Sequence, residues 1–181
     1  PSVEGQQLVE SQSENFSGQF EPTQIGHPSF VSPHASPIAV NNSLVFVANT
    51  PADTVDVIDS QTRDVIARVD VGVDPVSIAR RPDGKEVWVS NHISDSVSVI
   101  DTDESSPTFL NVIATVQEFD TARKATSFDE PMGIAFASNE KAYVALSSDN
   151  QIAVIDVASR EVTKRLTITA QDPREIVVRD G

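Results

Sequence analysis

The chain has 181 residues, 27 of them acidic and 13 basic, for a net charge of −14, and it contains no cysteine. That charge repels polyanions, so neither nucleic acid nor an anionic membrane surface is an expected partner. Without cysteine these residues hold no disulfide, thiolate metal site or Cys-x-x-Cys-His haem attachment, and with no apolar run near the ~20 residues of a spanning helix no membrane insertion is expected.

Residues 1–35 read as an N-terminal arm or linker. Pro1 to Glu21 is rich in Gln, Ser and Glu with scattered apolar residues, the composition of a surface arm. The segment then becomes Pro-rich and stiff through Gly26-His27-Pro28-Ser29-Phe30-Val31-Ser32-Pro33-His34.

From residue 36 the chain changes to short alternating strands. Val45-Phe46-Val47-Ala48-Asn49 leads to Val57-Ile58-Asp59, Val87-Trp88-Val89-Ser90-Asn91 leads to Val99-Ile100-Asp101, and Ala142-Tyr143-Val144-Ala145-Leu146 leads to Val154-Ile155-Asp156. Phe46 and Trp88 lie 42 residues apart, as do Asp59 and Asp101, and Pro131 and Pro173. In the second copy Val76 to Arg80 reads as a strand, Pro82-Asp83-Gly84-Lys85 as a hairpin turn, Glu86 to Ser90 as the next strand, and Ser96 to Ile100 as a half-buried one. Trp88 to Tyr143 and Asp101 to Asp156 both span 55 residues, so about 13 residues are inserted once, within Asp103 to Phe128, around a surviving strand near Val112 to Val116.

A period near 42 holding only strand-like segments is the signature of propeller blades. The expected fold is all-β, a β-propeller of four-stranded antiparallel blades. The units are expected at about 36–73, 74–129 and 130–171, with 172–181 opening another.

The second copy, with Asp95-Ser96-Val97-Ser98-Val99-Ile100-Asp101 after Val87-Trp88-Val89-Ser90-Asn91, resembles the YVTN-type β-propeller repeat, an aromatic-Val-Thr-Asn strand followed by Val-x-Val-Ile-Asp. The resemblance covers roughly residues 36 to 181, with Ala48, Ser90 and Ala145 in place of Thr and Leu146 in place of Asn. It implies a ring of seven blades, a periplasmic or extracellular location, and often no enzyme activity. Seven such units need about 290 residues, so the chain is expected to form an incomplete ring, a fragment of a longer protein or one completed by the remaining blades or by partner chains.

Candidate chemistry is sparse. His34 precedes the first inner strand and can project toward the channel mouth, where imidazole ligates copper, zinc or haem iron, or serves as a structural hydrogen-bonding group; His27 lies seven residues earlier. Asp74-Pro75, Glu130-Pro131 and Asp172-Pro173 recur before each inner strand. They read either as acid-Pro turns or as channel-mouth carboxylates that jointly bind a cation. Asp59, Asp101 and Asp156 are expected to cap equivalent turns on different blades, and Phe46, Trp88 and Tyr143 to pack between blades. No nucleophile with an adjacent base and no phosphate-cradling loop is visible, so enzyme activity stays open.

The favoured reading is a noncatalytic interaction scaffold, a propeller segment of a larger exported protein that presents its loops and insertion to a partner. One alternative is the propeller portion of a periplasmic redox protein whose haem or copper lies outside these residues, with His27 or His34 near the cofactor. A lactonase-like propeller hydrolase is the other.

Overall fold

A computed structural model describes residues 33–179, and apart from one short 3-10 turn, Thr50–Ala52, the regular structure among them is β. Three four-stranded antiparallel sheets follow in chain order, each a simple meander. Blade 1 holds β1 (Ile38–Asn41), β2 (Leu44–Asn49), β3 (Thr54–Asp59) and β4 (Val65–Asp70). Blade 2 holds β5 (Pro75–Arg80), β6 (Glu86–Asn91), β7 (Ser96–Asp101) and β8 (Val112–Val116). A two-stranded hairpin follows, β9 (Phe119–Asp120) with β10 (Ala125–Thr126). Blade 3 holds β11 (Pro131–Phe136), β12 (Lys141–Leu146), β13 (Gln151–Asp156) and β14 (Glu161–Thr167). The protein is an all-β propeller segment.

Period-two alternation gives each blade two apolar faces, and a face is buried where a neighbouring blade covers it. Val87 and Val89 of β6 join Phe46, Val55 and Val57 of blade 1, whereas Trp88, one residue out of phase, packs with Val144 and Ile155 of blade 3. Every residue of β6 and β7 is consequently buried. Fully burying a valine-sized side chain contributes about 1.5–3 kcal/mol, against about 1–2 kcal/mol to order each residue's backbone. A blade therefore depends on neighbours for much of its stability.

The turns follow from their residues. Gly84 takes φ +75 in the β5–β6 hairpin, where its N–H donates to Arg81 O at 2.9 Å. Between third and fourth strands Asp59 Oδ1 accepts from the Gln61 and Thr62 amides at 2.7 and 2.9 Å, and Asp156 Oδ1 accepts from the Ser159 amide at 2.8 Å. Asp101 Oδ1 accepts from the Asp103 amide at 3.0 Å. These aspartates cap turns on three blades, as the repeat predicts. Arg63, Leu110 and Arg160 close the same turns in left-handed conformation, each amide donating at 2.8 Å to the carbonyl of the capping aspartate.

That equivalence corrects the expected single insertion. Leu110 holds the slot of Arg63 and Arg160, so part of the extra length widens the turn before β8, and the rest forms the β9–β10 hairpin after it. The third copy departs where its Leu146 replaces Asn: Asn91 Nδ2 donates to Ser96 and Ser98 Oγ at 3.1 and 2.9 Å, whereas Leu146 and Ala153 sit at the corresponding places in an apolar core.

The stretch expected to open a fourth unit forms no strand among the described residues. It still packs as one would begin, because Gly133 N–H donates to Arg174 O at 2.7 Å and Ile176 covers Val76, Met132 and Ala145. A Cβ on Gly133 would meet Arg174 O at 2.7 Å, so only glycine permits that approach.

Candidate functional site

His34 is exposed, and its Nε2 lies 2.7 Å from Thr50 Oγ1, whose hydroxyl donates to Pro75 O at 2.7 Å. With the hydroxyl proton so committed, the imidazole donates through Nε2. Ala35 N–H donates to Val76 O at 3.1 Å, and Ile78 N–H donates to Ser36 O at 2.7 Å, so the segment carrying His34 runs along β5. His34 is thus hydrogen-bonded where the start of blade 1 meets blade 2. His27 lies outside the described residues.

Asp74, Glu130 and Asp172 each adopt left-handed φ, at 64, 50 and 53. Their amides donate to Asp53 Oδ1 at 2.8 Å, Asp95 Oδ1 at 3.0 Å and Asn150 Oδ1 at 2.8 Å. Those acceptors sit in the turn between second and third strands and are themselves left-handed, with φ 57, 50 and 53. The turn of one blade therefore latches the first residue of the next, and the acid-Pro recurrences are the latched ends. Among the described residues no group of three His, Cys, Asp or Glu converges to hold a metal ion, so Asp74, Glu130 and Asp172 are not brought together as a cation site.

The latch residues Asp53, Asp95 and Asn150 are what sequence reasoning missed. Their signal was the repeat interval itself, because Asp53 and Asp95 are 42 residues apart and Asp95 and Asn150 are 55.

A second polar device crosses the interface between blades 2 and 3. Buried Glu86 accepts Trp88 Nε1 at 2.8 Å and Arg160 of blade 3 at 3.0 Å, with Arg81 at 3.4 Å from the same carboxylate. Trp88 meets Phe136 edge to face at 5.2 Å. The aromatic position is inter-blade packing, reinforced by a charge-assisted hydrogen-bond set.

The insertion hairpin is anchored at its roots and capped at its tip. Its roots are the buried Val116 and Phe128, Glu118 O accepts from Thr126 Oγ1 at 3.0 Å and from Ser127 N at 3.1 Å, and the Glu118 carboxylate pairs with Arg165 of β14. At the tip Asp120 Oδ1 accepts from the Ala122 and Arg123 amides at 2.9 and 3.1 Å. Despite that order Phe119 is 59% exposed. Between hairpin and latch turn lies a cleft of about 520 Å³ lined by Ile93, Asp95, Glu118, Phe119 and Lys124. Burial pushes the Asp95 carboxyl above its ordinary value and the Asp129 and Glu130 charges push it further, against the opposing hydrogen bond from the Glu130 amide.

Neither a scan against protein-family models nor a search of curated proteins finds a match. Solved structures do match. Kuenenia stuttgartiensis hydrazine synthase is similar at TM-score 0.63 and 29% identity over 86% of this chain and 42% of that one. The β-propeller domain of Myceliophteria thermophila Cps50 (Swd1) is similar at TM-score 0.61 and 13% identity, over 77% of this chain and 43% of that one. The dihydro-heme d1 dehydrogenase NirN, in complex with DHE, is similar at TM-score 0.53 and 22% identity, over 76% and 28%. The chain spans less than half the length of each. The two under 25% identity speak to the fold alone.

Proposed function

We propose that this chain is the propeller segment of a larger exported protein and serves as a noncatalytic interaction scaffold, with the β9–β10 hairpin as its partner-facing element. The observation that carries this reading is the hairpin's construction: two buried roots, an inter-blade ion pair and a capped tip hold a largely exposed phenylalanine in place. Fixing an apolar ring in water gains the isolated fold nothing, whereas a pre-organised anchor reduces the ordering cost of binding. The repeat is read as YVTN-type and the location as periplasmic or extracellular, on the strand sequences around Trp88. Remaining blades or partner chains complete the ring, which accords with the exposed Ile38, Val40 and Ile66 on the outer side of blade 1.

The test replaces residues 117–127 with a linker as short as the one joining β4 to β5, sparing β8. Affinity capture with the full-length protein is then expected to lose the partner, while circular dichroism and melting stay near those of the parent. Undiminished capture would remove the hairpin from the proposal.

A second reading is favoured by the likeness to hydrazine synthase, at 29% identity over most of this chain. In it the propeller packs against redox domains encoded outside these residues, which carry the haem or copper. His34→Ala in the full-length protein, followed by metal analysis and absorption spectroscopy, separates the readings: an altered cofactor spectrum supports redox, and an unchanged one leaves His34 with Thr50.

A further inference from the structure

We propose that the cleft between the latch turn of blade 2 and the insertion hairpin docks a polypeptide segment carrying an arginine or lysine beside a large aliphatic residue. This rests on the scaffold reading and names the partner chemistry of that same hairpin.

The lining of the cleft combines exposed apolar side chains with carboxylates. Ile93, 48% exposed, and Phe119, 59% exposed, both line it, one on the β6–β7 turn and the other on β9. Neither packs into a core cluster of the described residues. A single aliphatic side chain laid between them removes apolar surface from water on both sides.

Charge selects the neighbour of that side chain. Asp95, Glu118 and Lys124 line the cleft, and the Asp129 and Glu130 charges bear on Asp95. The Glu118 carboxylate is engaged by Arg165, and Asp95 offers Oδ1 to the Glu130 amide. The crowded carboxylates around Asp95 are therefore the uncompensated part, and a guanidinium or ammonium delivered there relieves their mutual repulsion. A second copy of this chain is a poor occupant, because two bodies of charge −14 repel.

Asp95 serves both latch and cleft, and the third blade shows how to separate these roles. Asn150 holds the Asp172 amide at 2.8 Å with no charge. Asp95→Asn is accordingly expected to keep the latch and lose only the negative charge.

The experiment follows amide shifts in the ¹⁵N-labelled full chain as it is titrated with the capped peptide Gly-Ser-Arg-Leu-Ser-Gly. The controls carry Glu in place of Arg, or Ser in place of Leu. Saturable shifts are expected at Ile93, Asp95, Phe119 and Lys124 with the Arg-Leu peptide, with affinity weakened about twofold to fivefold by Asp95→Asn. Phe119→Ser and each control peptide are expected to weaken binding at least as much. Equal binding of the Arg and Glu peptides, or shifts confined to another face, overturns the proposal. So does a concentration-dependent dimer abolished by Phe119→Ser, which assigns the cleft to a second copy. If removing the hairpin abolishes capture of the native partner while Asp95→Asn and the peptide exchanges change nothing, the cleft inference falls and the scaffold reading stands.

Discussion

Ile78 of β5 is 3% exposed, and its counterpart in β1, Ile38, is 58% exposed, although the two face equivalent residues, Val89 and Val47, in their own hairpins. The same contrast runs along the next strands: β6 and β7 are buried at every position, β2 and β3 only in part. Sequence pattern is shared and burial is not, because blade 2 lies between two blades and blade 1, among the described residues, has a neighbour on one side. The difference teaches that roughly half of a blade's core belongs to the adjoining blade, so its stability is a property of pairs.

The most severe way to break that pairing is at Trp88, which fills the interface of blades 2 and 3 and hydrogen-bonds Glu86. Trp88→Ala is expected to cost about 3–5 kcal/mol in chemical unfolding, with a smaller cost for Tyr143→Ala, the half-buried counterpart on blade 3. Equal costs would contradict the paired-blade account. Next comes the comparison itself: Ile78→Ala is expected to lose about 2–5 kcal/mol, and Ile38→Ala about 0.5 kcal/mol or less, as for a surface site. In a protein whose ring is completed the Ile38 cost should rise toward that of Ile78, which makes the pair a readout of closure.

Much of this was legible because it is local. Alternation in Val87 to Asn91 and in Ser96 to Asp101, with aspartates at a fixed interval, specifies strands, turns and blades without knowledge of the neighbours. The latches were harder to read: the repeat interval marks Asp53, Asp95 and Asn150 as equivalent, but each also resembles any turn residue, and the amides they hold lie 21, 35 and 22 residues away. The division of the insertion was hidden for a similar reason. Only the left-handed slot shared by Arg63, Leu110 and Arg160 shows where the turn ends and the hairpin's share begins. The acid-Pro recurrences were legible as a repeat, but not that each acid's amide is held by the turn of the blade before it.

Blades 2 and 3 also differ at a second buried polar site. Ser147 donates through both N and Oγ to Glu130 O at 3.1 Å, and its Oγ also lies 3.1 Å from Glu130 Oε2. His92, at the corresponding position, donates its amide to Asp74 O at 2.9 Å, but His92 Nδ1 and Asp74 Oδ2 are buried without partners. An unsatisfied buried polar atom costs about 1–3 kcal/mol. Transplanting the blade 3 pair, Asp74→Glu with His92→Ser, is therefore expected to raise stability by about 1 kcal/mol. A double variant no more stable than the parent would show that the two sites differ in more than this pair.

The smallest effect concerns acid, and it sets the widened turn of blade 2 against the latch beside it. The Ser105 hydroxyl and the Lys85 ammonium, 3.1 Å away, hold the Asp103 carboxyl down at about 2 from an ordinary 3.8. Asp101 is also lowered: burial works upward, but hydrogen bonds from Ser106, Thr108 and the Asp103 amide outweigh it. A carboxyl lowered on folding contributes stability that is present above the unfolded value and is lost as pH falls through the folded one. The window for Asp103 therefore runs from about 4 down to about 2. Asp95 has the opposite sign: burial and Asp129 raise it, so its contribution favours the fold at low pH and declines as the group ionises. Asp103→Asn should flatten the loss of stability between pH 4 and pH 2, whereas Asp95→Asn, which removes the opposing term, should steepen it. Melting temperatures across that window decide the matter, and a slope moved in the same direction by both variants would mean that the turn and the latch do not titrate as separate sites.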